Sequence, residues 1–176
     1  MPGDATAFRK NIKILNAPGA NAVAVALAMQ RQLFSISRNG DKKFVTTQSI
    51  EDSVTGVIGA GNIGARIIDA ISVFNPQKQL YFNRSEKNVQ TERMDLDSLV
   101  AAADVVLLTL PASAGKVYDN HLLSKVKPGA LLVSISPNGL IDFDALLSRL
   151  QKGELRAAID GPSPLQAFIA CRWMFG

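Results

Sequence analysis

Short apolar runs alternate with stretches of helical period from residue 53 to residue 160, and that alternation limits the fold more than any other feature of the chain. Strand candidates lie at 53–59 (SVTGVIG), 78–83 (KQLYFN), 104–110 (DVVLLTL), 129–136 (GALLVSIS) and 155–160 (LRAAID). Helical spacing marks 62–74 (NIGARIIDAISVF), 96–103 (LDSLVAAA), 120–126 (NHLLSKV) and 142–153 (DFDALLSRLQKG), the last capped by Asp142 and stopped by Gly153. Strands this apolar need cover on both sheet faces, and connections of this length carry the helices that supply it. The expected class is α/β, a doubly wound parallel sheet in three layers, α/β/α.

The first strand candidate runs into GVIGAGNIGARII (56–68), where Gly59, Gly61 and Gly64 form a G-x-G-x-x-G loop that opens a helix. Alone, such a motif is weak, because small residues also recur at tight turns for packing. Between a strand and a helix it has a mechanism, since free N–H groups and the helix dipole favour a pyrophosphate there. Gly59 then makes the turn, Gly61 lets the backbone approach the phosphates, and Gly64 lets helix and strand pack closely. The sheet expected is therefore Rossmann-type. The end of the second strand selects the nucleotide. An NAD site normally carries an acid there for the ribose hydroxyls; this chain has Asn83, followed by Arg84, Ser85 and Lys87. An acid about 4 Å from a 2′-phosphate is repelled by about 4 kcal/mol at an effective dielectric of about 20. Its absence, with a guanidinium added, points to NADP, with NAD possible; the bland alternative makes Arg84 and Lys87 solvated loop charges.

The remaining composition narrows the partners. The 176 residues carry a net charge of +4 without a long Lys/Arg run, which speaks against nucleic acid. One cysteine, Cys171, excludes an internal disulfide framework and a cysteine-rich zinc site, and one histidine, His121, makes a His-based metal site improbable. The apolar run at 21–29 (NAVAVALAM) is too short to span a bilayer, so no membrane partner is expected and the chain reads as soluble and cytoplasmic. Three segments follow: an N-terminal flank (1–52) with a strand candidate at 12–15 and a helix at 20–36, the dinucleotide-binding domain (53–162), and a tail (163–176), helical or altered at its terminus. The 20–36 helix is expected to be apolar around most of its circumference, so it should be buried against another surface, as in an oligomer.

Three further stretches, NAPGANAVAVALAM (16–29), DVVLLTLPAS (104–113) and KVKPGALLVSISPNGLIDFDALLSRLQKGELRAAID (125–160), together with the glycine loop, resemble the D-isomer-specific 2-hydroxyacid dehydrogenases. The resemblance covers about residues 12 to 162. It implies a nicotinamide domain inserted in a substrate domain, with this chain being the former plus a short stub of the flank. It also implies site roles. Asn62 and Ile63 would lie on the pyrophosphate, and Asn83, Arg84 and Ser85 on the adenosine ribose. Leu110 and Pro111 would pass beside the adenosine half. Ile135, Ser136, Pro137 and Asp160 would lie near the nicotinamide.

The family's chemistry, by the same resemblance, uses an arginine that polarises a small 2-oxo acid, a histidine that donates the proton, and a glutamate that tunes it. The arginine's position holds Pro137, in SISPNGLID, which has neither charge nor donor. The glutamate's region reads GPSPLQ, and no histidine follows it; His121 falls at a surface position of the helix at 120–126. No catalytic residue is therefore assigned. The expected function is the NAD(P)-binding domain of a 2-oxoacid reductase, truncated or catalytically degenerate. Two alternatives remain: a non-catalytic NADP(H)-binding module, and a reductase of the same fold resembling the pyrroline-5-carboxylate reductases, to which GAGNIG, NRS and ADVVLLTL are also similar.

Overall fold

A computed structural model describes residues 50–160. The strand expected at 12–15, the helix at 20–36 and the tail at 164–176 lie outside the described residues. Within them the sheet has six strands, all parallel, in the order β3-β2-β1-β4-β5-β6. The strands are β1 (Val54–Ile58), β2 (Lys78–Phe82), β3 (Glu92–Arg93), β4 (Val105–Leu108), β5 (Leu131–Ser134) and β6 (Arg156–Ile159). The helices are α1 (Asn62–Ser72), α2 (Leu96–Ala102), α3 (Asn120–Lys125) and α4 (Phe143–Gln151), with 3-10 turns at Ala112–Ala114 and Asn138–Leu140.

Side chains alternate across each strand, so consecutive apolar residues serve two cores. Val57, Tyr81, Leu107 and Val133 pack on one face with Ile67, Ile68 and Ile71 of α1. Ile58, Leu80, Leu108 and Leu132 pack on the other with Leu99 of α2, Leu122 and Leu123 of α3 and Leu146 of α4. Two helical layers therefore cover one sheet, as expected. Ile67, Ile68 and Ile71 are each at most 2% exposed, and burial of each contributes about 1.5–3 kcal/mol. Among the described residues no helix is long and apolar enough to cross a membrane.

Two differences from the sequence reading matter. The strand β3 was not expected; both its residues are exposed, and it exists because Glu92 and Arg93 pair with Leu80 and Tyr81. The strands also end earlier than the apolar runs do. Ladder bonds continue one step beyond them, with Gly59 N–H donating to Phe82 O, Thr109 N–H to Ile58 O, Ile135 N–H to Leu108 O and Asp160 N–H to Ser134 O. Beyond that step the chain turns away, so the expected site residues at strand ends sit in loops along one edge of the sheet.

Three helices begin at an aspartate whose side chain accepts a first-turn N–H: Asp95 from Ser98, Asp119 from Leu122 and Asp142 from Ala145. These bonds hold the carboxyls of Asp95 and Asp142 below the usual carboxylate range, and the Lys125 ammonium, bonded at 2.5 Å, does the same for Asp97. A carboxyl with a lowered folded pKa contributes stability fully above its unfolded value, near 3.8, and loses it as pH falls through the folded value. The thermal midpoint should thus be insensitive to these groups near neutrality and drop in acid below that value. In Asp142→Asn the cap is retained without the titration, so the acid-side decline should be shallower by up to about one proton. Circular dichroism melts across the acid range check this; parallel declines for the two proteins would refute it.

Candidate cofactor site

The sheet order reverses between β1 and β4, and the chain leaves those strands for opposite faces: α1 on one side, α3 on the other. Their loops diverge and open a crevice beyond the carboxyl ends, the place where such sheets take ligands. The glycine loop lies in it. Gly59 has φ +100°, a conformation that favours glycine. A Cβ at Gly64 would lie 1.8 Å from Gly59 O, so the first turn of α1 rests directly on the loop's backbone. A Cβ at Gly61 would meet nothing within 4 Å, so the space over that residue is open.

Both neighbours of β1 brace this loop. From β4, the Thr109 hydroxyl donates to Gly59 O at 2.5 Å and lies 3.2 Å from Ile58 O. From the end of β2, Asn83 Oδ1 accepts the Ala60 N–H at 3.3 Å, while Asn83 Nδ2 donates to Ser85 O and Oγ at 2.9 and 3.3 Å. Helix α1 differs from the other described helices at its start. Its N-cap is Gly61, with no side-chain cap and no acid in the first turn. Its first N–H groups and the positive end of its dipole therefore face the crevice without a protein anion.

The crevice divides into two cavities that share Leu110 and Pro111. The larger, ≈ 790 Å³, is walled by Phe82, Asn83 and Arg84 on the β2 side and by Ser113 to Val117 on the other. That far wall is held by Leu140 O, which accepts the N–H groups of Val117 and Tyr118 at 2.9 and 2.8 Å. Lys116 on it lies 3.6 Å from Asp142. The smaller cavity, ≈ 360 Å³, is bounded by Gly61, Asn62 and Ile63 at the start of α1, by Thr109 to Pro111, and by Ile135, Ser136 and Pro137. Ser136 is buried; its Oγ accepts the Leu110 N–H at 2.8 Å and so joins the two loops that form the cavity's side. Pro137 is exposed and brings no charge, and its carbonyl accepts from Leu140 N–H at 3.1 Å.

Ten of the residues singled out from sequence therefore line the crevice: Gly61, Asn62, Ile63, Asn83, Arg84, Leu110, Pro111, Ile135, Ser136 and Pro137. Gly59 and Gly64 lie beneath the loop as packing elements. Ser85 and Asp160 are exposed and line neither cavity. His121 is exposed, 3.8 Å from Asp97, and also lines neither. Sequence reasoning passed over Thr109 and Arg93. The first had a signal, a hydroxyl interrupting the apolar run DVVLLTL. The second had none, because its partners are main-chain carbonyls about ten residues away: the Arg93 guanidinium donates to Asn83 O and to Arg84 O.

Residues 23–166 match the family model described as D-isomer specific 2-hydroxyacid dehydrogenase, NAD binding domain. A formate dehydrogenase of Candida boidinii is 29% identical over 170 residues, covering 84% of this chain and 47% of that protein. A hydroxypyruvate reductase of Thermotoga maritima is 28% identical over 167 residues, covering 86% and 55%. Among solved structures, an acyclic imino acid reductase in complex with NADPH and D-Arg superposes with a TM-score of 0.75 at 27% identity, over 89% of this chain and 57% of that one. The chain spans about half the length of the curated relatives it matches. Glycine loop, uncapped helix and paired cavities thus stand on a sequence that matches one family through most of its length, and the chain belongs to the D-isomer-specific 2-hydroxyacid dehydrogenases, as their NAD(P)-binding domain.

Proposed function

We propose that this domain binds NADP(H) across the crevice and serves the reduction of a small 2-oxo acid, or the reverse oxidation of the 2-hydroxy acid. The observation that carries the reading is the open space over Gly61 at the start of an uncapped, acid-free helix. The backbone N–H groups of Asn62 and Ile63 would hold the pyrophosphate there. The larger cavity would take the adenosine half, with the Asn83–Ser85 turn at the ribose and Leu110 and Pro111 along the ring. The smaller would take the nicotinamide half against Ile135, Ser136 and Pro137; Asp160, which lines neither cavity, would approach it only from beyond β6. The cofactor, when bound, supplies the hydride; the residues of this chain bind it, orient it and exclude water from it. Arg84 and Lys116 on opposite walls of the larger cavity, with no acid among its lining residues, support NADP over NAD.

A second reading is favoured by a specific observation. None of the residues lining the smaller cavity titrates near neutral pH, and Pro137 stands where the family resemblance implies an arginine. The chain then binds NADP(H) without turnover, and any acid–base group comes from outside the described residues. The finer parts of the proposal are action in the cytoplasm, a homodimer through residues 20–36, and the absence of nucleic-acid and membrane partners. The dimer rests on the family resemblance and the apolar pattern of residues 20–36. The exclusion of nucleic acid rests on a net charge of +4 without a long Lys/Arg run, and the other two on an apolar run at 21–29 too short to span a bilayer.

Fluorescence titration tests the cofactor reading. NADPH should bind at least about tenfold more tightly than NADH, a difference of about 1.4 kcal/mol, and Arg84→Ala should abolish most of it. Equal affinities would sink the NADP choice, and no saturable binding of either would sink the site. The two glycines separate binding from folding. Gly61→Ala should weaken either cofactor about tenfold or more at a stability cost under about 1 kcal/mol. Gly64→Ala should destabilise the fold by about 1–3 kcal/mol or more, read by urea unfolding. The reverse ranking would contradict the geometry.

A further inference from the structure

We infer that Arg93 is a positioning residue for cofactor specificity, an inference that rests on the NADP(H) reading above. The turn after β2 must hold Arg84 at the rim of the larger cavity, yet Arg84 and the four residues that follow it are all exposed. What fixes the turn comes from β3. The Arg93 guanidinium donates from Nη2 to Asn83 O at 3.0 Å and to Arg84 O at 2.9 Å, and its Nε lies 3.3 Å from Asn83 O. A planar fork satisfies two successive carbonyls from one side; the rotatable ammonium of lysine has no such fixed geometry. Arg93 itself lines neither cavity, so it acts through the turn.

The amide of Asn83, in the same turn, is already committed. Asn83 donates both amide bonds to Ser85 and accepts from Ala60, which ties the turn to the glycine loop and leaves no amide donor for a phosphate. Arg84 is then the charged side chain that the Asn83–Ser85 turn offers a 2′-phosphate, and Arg93 holds its backbone. The charge of Arg93 adds to the same field, because the neighbouring acid, Glu92, is paired instead with Lys78 at 2.9 Å. A two-residue strand with no apolar side chain thereby gains a role: it places a guanidinium under the specificity turn.

NADPH and NADH titrations of the whole chain, Arg93→Gln and Arg93→Lys test this, with thermal melts beside them. Arg93→Gln should weaken NADPH binding about tenfold and NADH binding less than about threefold, collapsing the preference. Arg93→Lys keeps the charge without the fork and should recover less than half of the lost preference on a logarithmic scale. An unchanged NADPH/NADH ratio in Arg93→Gln, or an equal loss of both cofactors, overturns the specificity role, and full recovery in Arg93→Lys overturns the positioning role. The wild-type chain separates this from the parent reading: no NADPH preference there refutes the cofactor choice itself, whereas a preference that survives Arg93→Gln refutes only this inference.

Discussion

The contact between Gly64 and the carbonyl of Gly59 governs the rest of the site. A Cβ at Gly64 would lie 1.8 Å from that oxygen, so only a residue without a side chain lets α1 start so close to the end of β1. That approach carries Ile67, Ile68 and Ile71 onto Val57 and Tyr81 and closes one of the two cores. It also aims the first N–H groups of α1 over the strand ends. The same carbonyl accepts the Thr109 hydroxyl, so the end of β4 is joined to the loop at the point where the helix is seated. Packing and binding geometry are one constraint here, because the backbone that makes the core contact is the backbone offered to a ligand.

The helix starts show how the chain distributes its charges. Asp95, Asp119 and Asp142 each satisfy one orphan N–H group at the start of a helix with their own carboxylates. The fourth start has glycine instead, and its donors stay unclaimed by any side chain. Cations gather around the larger cavity, Arg84 and Lys116 on its walls and Arg93 behind one of them, while the smaller cavity is lined by uncharged groups. A polyanion with a nonphosphorylated far end matches that asymmetry better than an anion at both ends.

Much of the architecture was legible in the residues because it follows from period. Consecutive apolar positions in VVLL and LLVS force a strand buried on both faces, and the isoleucines of α1 recur at helical spacing. Strand ends were less legible. Thr109, Leu110 and Ile135 are as apolar or β-branched as the strands they follow, yet they turn into loops once the last ladder bond is made. The strand β3 left no trace in pattern, since Glu92 and Arg93 are exposed and their conformation is set by pairing with Leu80 and Tyr81. At the site, glycine spacing marked the loop, whereas Asp160, marked by its place at a strand end, lines neither cavity.

The sequence by itself determined the βαβ order, the two-faced burial of the strands, the glycine loop, and the replacement of an acid by Asn83 and Arg84. These are properties of local spacing and residue type, which a linear chain displays. Only the tertiary structure decided which groups brace that loop and which line the crevice. Thr109 meets Gly59 across 50 positions, Asn83 meets Ala60 across 23, and Arg93 reaches under the Asn83–Arg84 turn. Such bonds depend on which strands become neighbours, and the order β2-β1-β4 is set by the crossover of helices over the sheet faces rather than by the residues that finally meet.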